Sequence, residues 1–265
     1  MIEDMLARLA RHASPPQVTA AVQNLPATKH ASVLVLLYPS PTHADDLEVI
    51  LTLRASHMRS HAGDVSFPGG RRDPGEHAWQ CALREAHEEI GLSPDTPFRR
   101  ITILPYYLAK NNLLVSPCVA FSPTNPHDRW TPVPNLDEVA EIFNIRLSQI
   151  LQGEGYDGRW LDWHDSRWKL HKFQLHGRHD EVEAPEPKIV WGLTARILVD
   201  VARLAYGKNP TVYDFADELG DSDRIERAVR GGHFDDAPRK VRAKTANKSG
   251  DTEDTVRRKI QRGAL

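Results

Sequence analysis

The chain has 265 residues, 40% of them hydrophobic and 26% charged, the profile of a soluble globular protein large enough to bury its own core. No apolar run reaches the ~18 residues of a membrane span, and two cysteines, Cys81 and Cys118, exclude a disulfide framework or a cysteine-rich zinc fold. The formal net charge of −2 is uneven: nine Lys/Arg against three Asp/Glu lie from Ala237 to Leu265, and the rest of the chain is acidic. An acidic body with a basic end is not a general nucleic-acid binder, and the basic tail reads as a solvated, disordered terminus.

Taken in order, Ile2, Met5, Leu6 and Leu9 have helical spacing and predict a short amphipathic helix over Met1 to Arg11. This stretch lacks the apolar core of a signal peptide; Glu3 and Asp4 argue against a transit peptide, whereas Arg8 and Arg11 are compatible with one. Ala31 to Tyr38 is β-branched and apolar and predicts a buried strand; Asp46 to Arg54 predicts a second. Val65–Phe67 reads as a short extended piece broken by Pro68-Gly69-Gly70. Glu76 to Ile90 predicts a helix closed by Gly91. Strands are expected at Ile101–Ala109 and Leu113–Phe121, and a strand or a bend at Asp137–Phe143. A hairpin is expected from Trp160–His164 and Trp168–Leu175, then an amphipathic helix from Ile189 to Tyr206 with Gly207 after it. No element is predicted beyond about Gly220. The order of strands, helix, strands and helix implies an α/β layered fold on a mixed sheet.

The informative stretch is Gly70 to Leu92. On a helix, Glu85, Glu88 and Glu89 fall within an arc of roughly 100°, nearly opposite Trp79, Leu83, Ala86 and Ile90. One face is therefore expected on the core, and the other is expected to present three carboxylates. Such close carboxylates raise one another's pKa unless a cation is present. A hard divalent ion with oxygen ligands, Mg²⁺ or Mn²⁺, removes the conflict. Arg84 lies beside the cluster and is placed to orient it, while Gly69 and Gly70 allow close backbone approach. A glutamate-rich helix face alone is ordinary. Seven identities at fixed spacing have a chance of roughly one in a million at this length, which decides against coincidence.

Gly70-x5-Glu76-x7-Arg84-Glu85-Ala86-x-Glu88-Glu89-x-Gly91-Leu92 resembles the Nudix box at every defined position. The resemblance implies a Nudix αβα sandwich around a mixed β-sheet and metal-dependent hydrolysis of nucleoside diphosphates linked to another moiety. It implies Glu85, Glu88 and Glu89 as metal ligands, the Gly69 carbonyl as a further ligand, Arg84 as the residue that orients them, and Glu76 and Gly91 as architectural. The base that takes a proton from the attacking water belongs to the box or to a later loop, where Glu138 and Glu141 are the candidates.

Upstream, Leu51-Thr-Leu-Arg54-Ala-Ser-His-Met-Arg59-Ser-His61-Ala-Gly63-Asp-Val65-Ser-Phe67-Pro68-Gly69-Gly70 is similar to the signature of the coenzyme A diphosphatase branch. Ala55 replaces its usual Ser, Met58 its Leu, and Glu76 its terminal Asp. The segments Asp137–Phe143 and Trp191–Ala195 also resemble that branch. The implied reaction splits coenzyme A, or acyl-coenzyme A, into 3′,5′-ADP and 4′-phosphopantetheine or its acyl form. Arg54, Arg59 and His61 are the expected phosphate contacts, Arg being suited to bidentate phosphate recognition. The alternatives are hydrolysis of NADH, ADP-ribose or cofactor-capped RNA ends, and a Nudix-like binding module without turnover.

The expected organisation is an N-terminal helix and linker over 1–25, a Nudix domain over 26–206, and an extension over 207–265 that is mostly disordered beyond about 236. The expected partner is a small-molecule substrate; no membrane partner is expected, and no nucleic acid beyond capped RNA ends. Thirteen histidines raise a zinc reading for His171, His176 and His179, but their spacing favours plain surface histidines. Cys81 and Cys118 are expected buried and inert. Peroxisomal and mitochondrial enzymes both occur in the branch, and the chain's last residues, Gly263-Ala264-Leu265, are not a Ser-Lys-Leu address.

Overall fold

A strand rich in Val and Leu with no polar alternation must be covered on both faces, and strand β1 (His30–Pro39) is. Its neighbours are β2 (Leu47–Arg54), antiparallel, and β7 (Leu114–Phe121), parallel. The computed structural model describes residues 1–12, 20, 22, 24–58, 62–124, 131–163, 166–179, 182–183 and 186–234. Met1–Phe234 forms one compact unit. The tail expected to be disordered beyond about 236 lies outside the described residues.

Around β1 and β2 are β3 (Val65–Ser66), β4 (Gly69–Arg71), β5 (Arg99–Ile103), β6 (Tyr107–Leu108), β8 (Val139–Arg146), β11 (Arg178–His179) and β12 (Val182–Glu183). Together they make a mixed sheet whose main path runs β12-β11-β8-β2-β1-β7-β5. A second, antiparallel sheet has the order β13-β10-β9, from β9 (Tyr156–Trp163), β10 (Ser166–Leu175) and β13 (Lys188–Trp191).

Alternation along β1 builds two cores. Val35 and Leu37 join Met5, Leu6 and Leu9 of helix α1 (Ile2–Leu9) and Ile197, Leu198 and Val201 of a C-terminal helix on one face. Leu34, Leu36 and Tyr38 meet Ala78, Ala82, Ala86 and Ile90 of helix α2 (Ala78–Ile90) on the other. The sheet is thus sandwiched between helices, as expected. Three alanines at i, i+4 spacing let α2 lie close to the strands. Its start is two residues later than the sequence suggested, because His77 and Gln80 form a reciprocal cap, and Gly91 ends it in the left-handed region at φ 68°.

Several elements differ from the sequence reading. The segment Asp137–Phe143, left between strand and bend, contributes to β8, which pairs along β2. Helix α3 (Leu147–Gln152) follows it and escapes periodicity because it is under two turns long. The helix expected from Ile189 starts at Gly192 as α4 (Gly192–Tyr206); Lys188–Trp191 instead pairs with β10. Past Gly207, helix α5 (Ser222–Arg230) buries Ile225 and Ala228 against Leu108 and Leu114. A buried ion network fixes that segment. Arg196 lies 3.7 Å from both Asp200 and Asp221, Tyr107 donates to Asp200 at 2.7 Å, and the Leu108 N–H donates to Asp221 at 2.9 Å.

His171 overturns its surface reading. It is fully buried on β10, its Nδ1 lies 3.2 Å from the Tyr156 hydroxyl, and its ring is walled by Phe173 and Tyr213. Burial, reinforced by the Arg196 and Lys169 cations, pushes its pKa down to about 3. The unfolded chain takes up a proton there below pH ~6.5, whereas the native state resists until about pH 3. Stability is therefore lost as pH falls from about 6.5 toward 3, by about 2 kcal/mol at pH 5 from this one group. Urea unfolding at pH 7.5 and 5.0 should show a decrement that shrinks by that amount in His171→Phe; an equal decrement in both proteins contradicts the assignment.

Candidate active site

Three elements meet at the site: helix α2, the β3–β4 segment, and the start of β8. β4 runs antiparallel to β1, with Gly69 opposite Val33 and Gly70 opposite Ser32. This brings the Gly69-Gly70 backbone over the carboxylates of α2. Gly69 has φ 155°, and a Cβ there would collide with the Ser32 carbonyl oxygen and lie 2.6 Å from the Val33 Cα. A Cβ on Gly70 would enter the Glu85 carboxylate, 2.6 Å from Oε2. Both glycines are required by close approach.

The three glutamates are not presented alike. Glu88 is 52% exposed, as the helical wheel implies. Glu85 is half-buried, and Glu89 is only 2% exposed. The wheel put all three on an outward face; the Gly69 loop and Arg54 cover that face at Glu89. The Gly69 N–H donates to Glu89 Oε2 at 3.0 Å, and Arg54 Nη1 lies 3.5 Å from Oε1. Burial pushes the Glu89 pKa up to about 7, opposed by the Gly69 N–H and Arg54 and reinforced by the negative charges of Glu85 and Glu138. Burial likewise raises Glu85, against the pull of Arg84.

Arg84 uses its planar donor fork fully. Nε and Nη2 grip both oxygens of Glu76 at 2.8 and 3.1 Å, Nη1 reaches Glu85 and Glu88 at 3.0 Å each, and Nη2 also meets the Arg71 carbonyl at 3.0 Å. The hydrogen bonds from Arg84 hold the Glu76 carboxyl below its ordinary range. Glu76, distant from Arg84 by eight positions in sequence, thereby anchors the residue that holds Glu85 and Glu88.

Arg54 follows a β-bulge at Leu53/Arg54, where Leu53 pairs with Glu141 and Arg54 with Val139; bulges re-aim side chains beside active sites. Its side chain points to Glu89, and its buried Nε has no hydrogen-bond partner among the described residues. Arg59 and His61 lie outside the described residues. Glu141 is ion-paired to Lys188 at 2.6 Å. Glu138 is half-buried, its carbonyl accepts the Ala55 N–H at 2.8 Å, and its charge is felt at both Glu85 and Glu89. Lys188 is the site residue missed in the sequence. It stands directly before the Ile189-Val190-Trp191 run, which periodicity assigned to a helix. Cys81 is buried beneath the site, as expected, with its thiol pushed up by burial and by the neighbouring Glu76 and Glu85.

The residues fit a hard divalent cation in kind. A carboxylate whose pKa is raised by burial, with the charges of Glu85 and Glu138 adding to it, is a place short of positive charge, and every side-chain donor is oxygen. The carboxylates do not converge as a preformed cage: among the described residues no three His, Cys, Asp or Glu side chains are grouped to hold a metal ion. The positions around them are taken by Arg84, Arg54 and the Gly69 N–H.

Residues 28–164 match the family model of the NUDIX domain. The chain belongs to the Nudix family. Nudix hydrolases generally need divalent metal ions and act on small molecules such as nucleotide derivatives. Among curated proteins, the chain is 33% identical over 183 residues to Nudix hydrolase 15, mitochondrial, of Arabidopsis thaliana, covering 69% of this chain but only 60% of that protein. It is 32% identical to the peroxisomal coenzyme A diphosphatase ndx-8 of Caenorhabditis elegans, covering 75% of this chain and 82% of the relative. It is 28% identical to the peroxisomal coenzyme A diphosphatase NUDT7 of Mus musculus, over 79% and 82% respectively. Among the described residues no helix is long and apolar enough to cross a membrane.

Proposed function

We propose that this Nudix protein hydrolyses the pyrophosphate bond of coenzyme A or its acyl derivatives, giving 3′,5′-ADP and 4′-phosphopantetheine or its acyl form, with Mg²⁺ or Mn²⁺ held by Glu85, Glu88, Glu89 and the Gly69 carbonyl. The observation that carries the reading is Glu89, a glutamate buried under the Gly69-Gly70 backbone with two further carboxylates beside it. The upstream Arg54-to-Gly70 signature and the two coenzyme A diphosphatase relatives support the substrate. A divalent cation bound there neutralises charge on the pyrophosphate oxygens and acidifies water.

The chain's own groups divide the remaining work. Arg84 holds Glu85 and Glu88 in place from Glu76. Arg54, whose Nε has no hydrogen-bond partner among the described residues, has a donor left for a phosphate oxygen beside Glu89. Glu138 accepts the proton of the attacking water at its carboxylate; Glu141 is the weaker candidate because Lys188 already holds it.

The test is product separation after incubation of the protein and Mg²⁺ with free coenzyme A, acyl-coenzyme A, NADH and ADP-ribose. Release of 3′,5′-ADP from coenzyme A substrates at the highest kcat/KM supports the proposal. Preference for NADH or ADP-ribose moves it to another Nudix substrate class, and no turnover of any of them favours a binding module. In the same assay Glu138→Gln should lower kcat by about 100-fold or more and Glu141→Gln by much less; the reverse order reassigns the base.

A further inference from the structure

A cavity of about 560 Å³ lies on the second sheet, lined by Tyr156, Lys169, Thr211, Tyr213, Asp214 and Phe215 among others. That volume is in the range of sites that take a small organic ligand. It shares no residue with the box helix or with β3 and β4. Lys169 is six residues along β10 from Leu175, the register partner of Lys188, or about 20 Å of strand.

The cavity is built by strand pairing. Register places Lys169 opposite Trp160, His171 opposite Gly158 and Phe173 opposite Tyr156, so these side chains share one face of the β9–β10 hairpin. Gly158 has no side chain, and the Tyr156 ring lies across it to reach His171. Tyr213 then stacks on Tyr156, ring centroids 4.0 Å apart at 19°, and is fixed by a 2.8 Å hydrogen bond from its hydroxyl to the Ile150 carbonyl. The aromatic wall is therefore set before any ligand arrives.

Lys169 is the unexplained residue. It is only 5% exposed, yet among the described residues no carboxylate or carbonyl receives its ammonium; its one close partner is the Trp160 ring, 5.2 Å away. Lysines this buried are paired as a rule. A cation–π contact offsets part of the desolvation and makes no use of the ammonium's N–H donors, which are left to solvent or to a ligand in the cavity. Asp214, exposed at the rim, adds an acceptor. One cation, the outer edges of a stacked tyrosine pair and one acceptor line the cavity and complement a ligand with an anion, a ring and a donor group. A nucleoside monophosphate supplies all three in one small molecule.

We propose that this cavity is a second ligand site, separate from the box helix, that takes a nucleoside monophosphate with its phosphate on Lys169 and its base or ribose against Tyr156, Tyr213 and Asp214. The probe is adenosine monophosphate, titrated calorimetrically into the full chain in EDTA, with adenosine and inorganic phosphate as partial ligands. Saturable binding is expected, at least tenfold weaker for each partial ligand. Lys169→Met should weaken it at least tenfold while preserving the aliphatic stem, and Glu89→Gln should leave it unchanged. Thr211→Trp, at an exposed rim position, fills the cavity from outside and should abolish binding even if Lys169→Met fails to fold. The proposal is overturned if no binding is seen, if adenosine binds as tightly as its monophosphate, if Thr211→Trp or a folded Lys169→Met binds like the wild type, or if Glu89→Gln abolishes binding, which would assign it to the box site.

Discussion

On the function proposed above, Glu89→Gln is expected to lower turnover of coenzyme A at least 100-fold at saturating Mg²⁺ while the protein stays folded. The magnitude follows from losing one of the proposed oxygen donors to the cation; even indirect supports of a metal site cost about 10–100-fold. The fold should survive because the native site already disfavours the charge. Burial pushes Glu89 up to about 7, so near neutrality a large share of this carboxyl is uncharged before any cation binds. Gln keeps the shape and still offers an oxygen to the Gly69 N–H, now 3.0 Å from Oε2. The cost falls on Arg54, which loses its partner at 3.5 Å. Thermal unfolding within a few degrees of the wild type, together with lost turnover, is the expected pair of results. Near-wild-type rates in Glu89→Gln and in Glu88→Gln would remove the metal assignment.

Gly69→Ala should instead damage the fold, by about 3 kcal/mol, and activity with it. Two independent effects add there. At φ 155° an alanine is strained, at a cost on the order of 1–3 kcal/mol. Its methyl would also strike the β1 backbone, at the Ser32 carbonyl and 2.6 Å from the Val33 Cα. Neither atom can yield without moving the central strand, and tight packing makes such overpacking cost about 1–3 kcal/mol on its own. Gly70→Ala is the informative contrast. Its φ is ordinary, and the nearest atoms to its methyl belong to the Glu85 carboxylate, which can rotate away. It should unfold near the wild-type midpoint yet turn over poorly, because Glu85 leaves the place where Arg84 holds it at 3.0 Å. Equal destabilisation by the two substitutions, read from denaturant midpoints, would contradict this division.

Much of the architecture is written in local patterns. The apolar runs of β1, β2 and β7 and the alanine spacing of α2 with Gly91 behind it each answer to a local pattern of the chain itself. Short or long-range features are not written that way. Helix α3 is too short to show a period. Trp191 ends a strand rather than opening a helix because β10 offers its edge at Lys172–Leu175. Helix α5 has few apolar residues, and its docking rests on Arg196, Asp200 and Asp221, whose meeting depends on a fold already formed.

The site divides along the same line. The family and the set of acidic groups are legible in the chain's order of residues, because the spacing of Gly70, Glu76, Arg84, Glu85, Glu88 and Glu89 is a property of one loop and one helix. It takes the closed fold to bury Glu89 while Glu88 faces water, to anchor Arg84 on Glu76, to turn Arg54 to Glu89 and Lys188 to Glu141, and to put His171 in the core. A helical wheel fixes the angle at which a side chain leaves its axis; which strand, loop or cation then covers it depends on segments distant in sequence that meet only when the sheet closes.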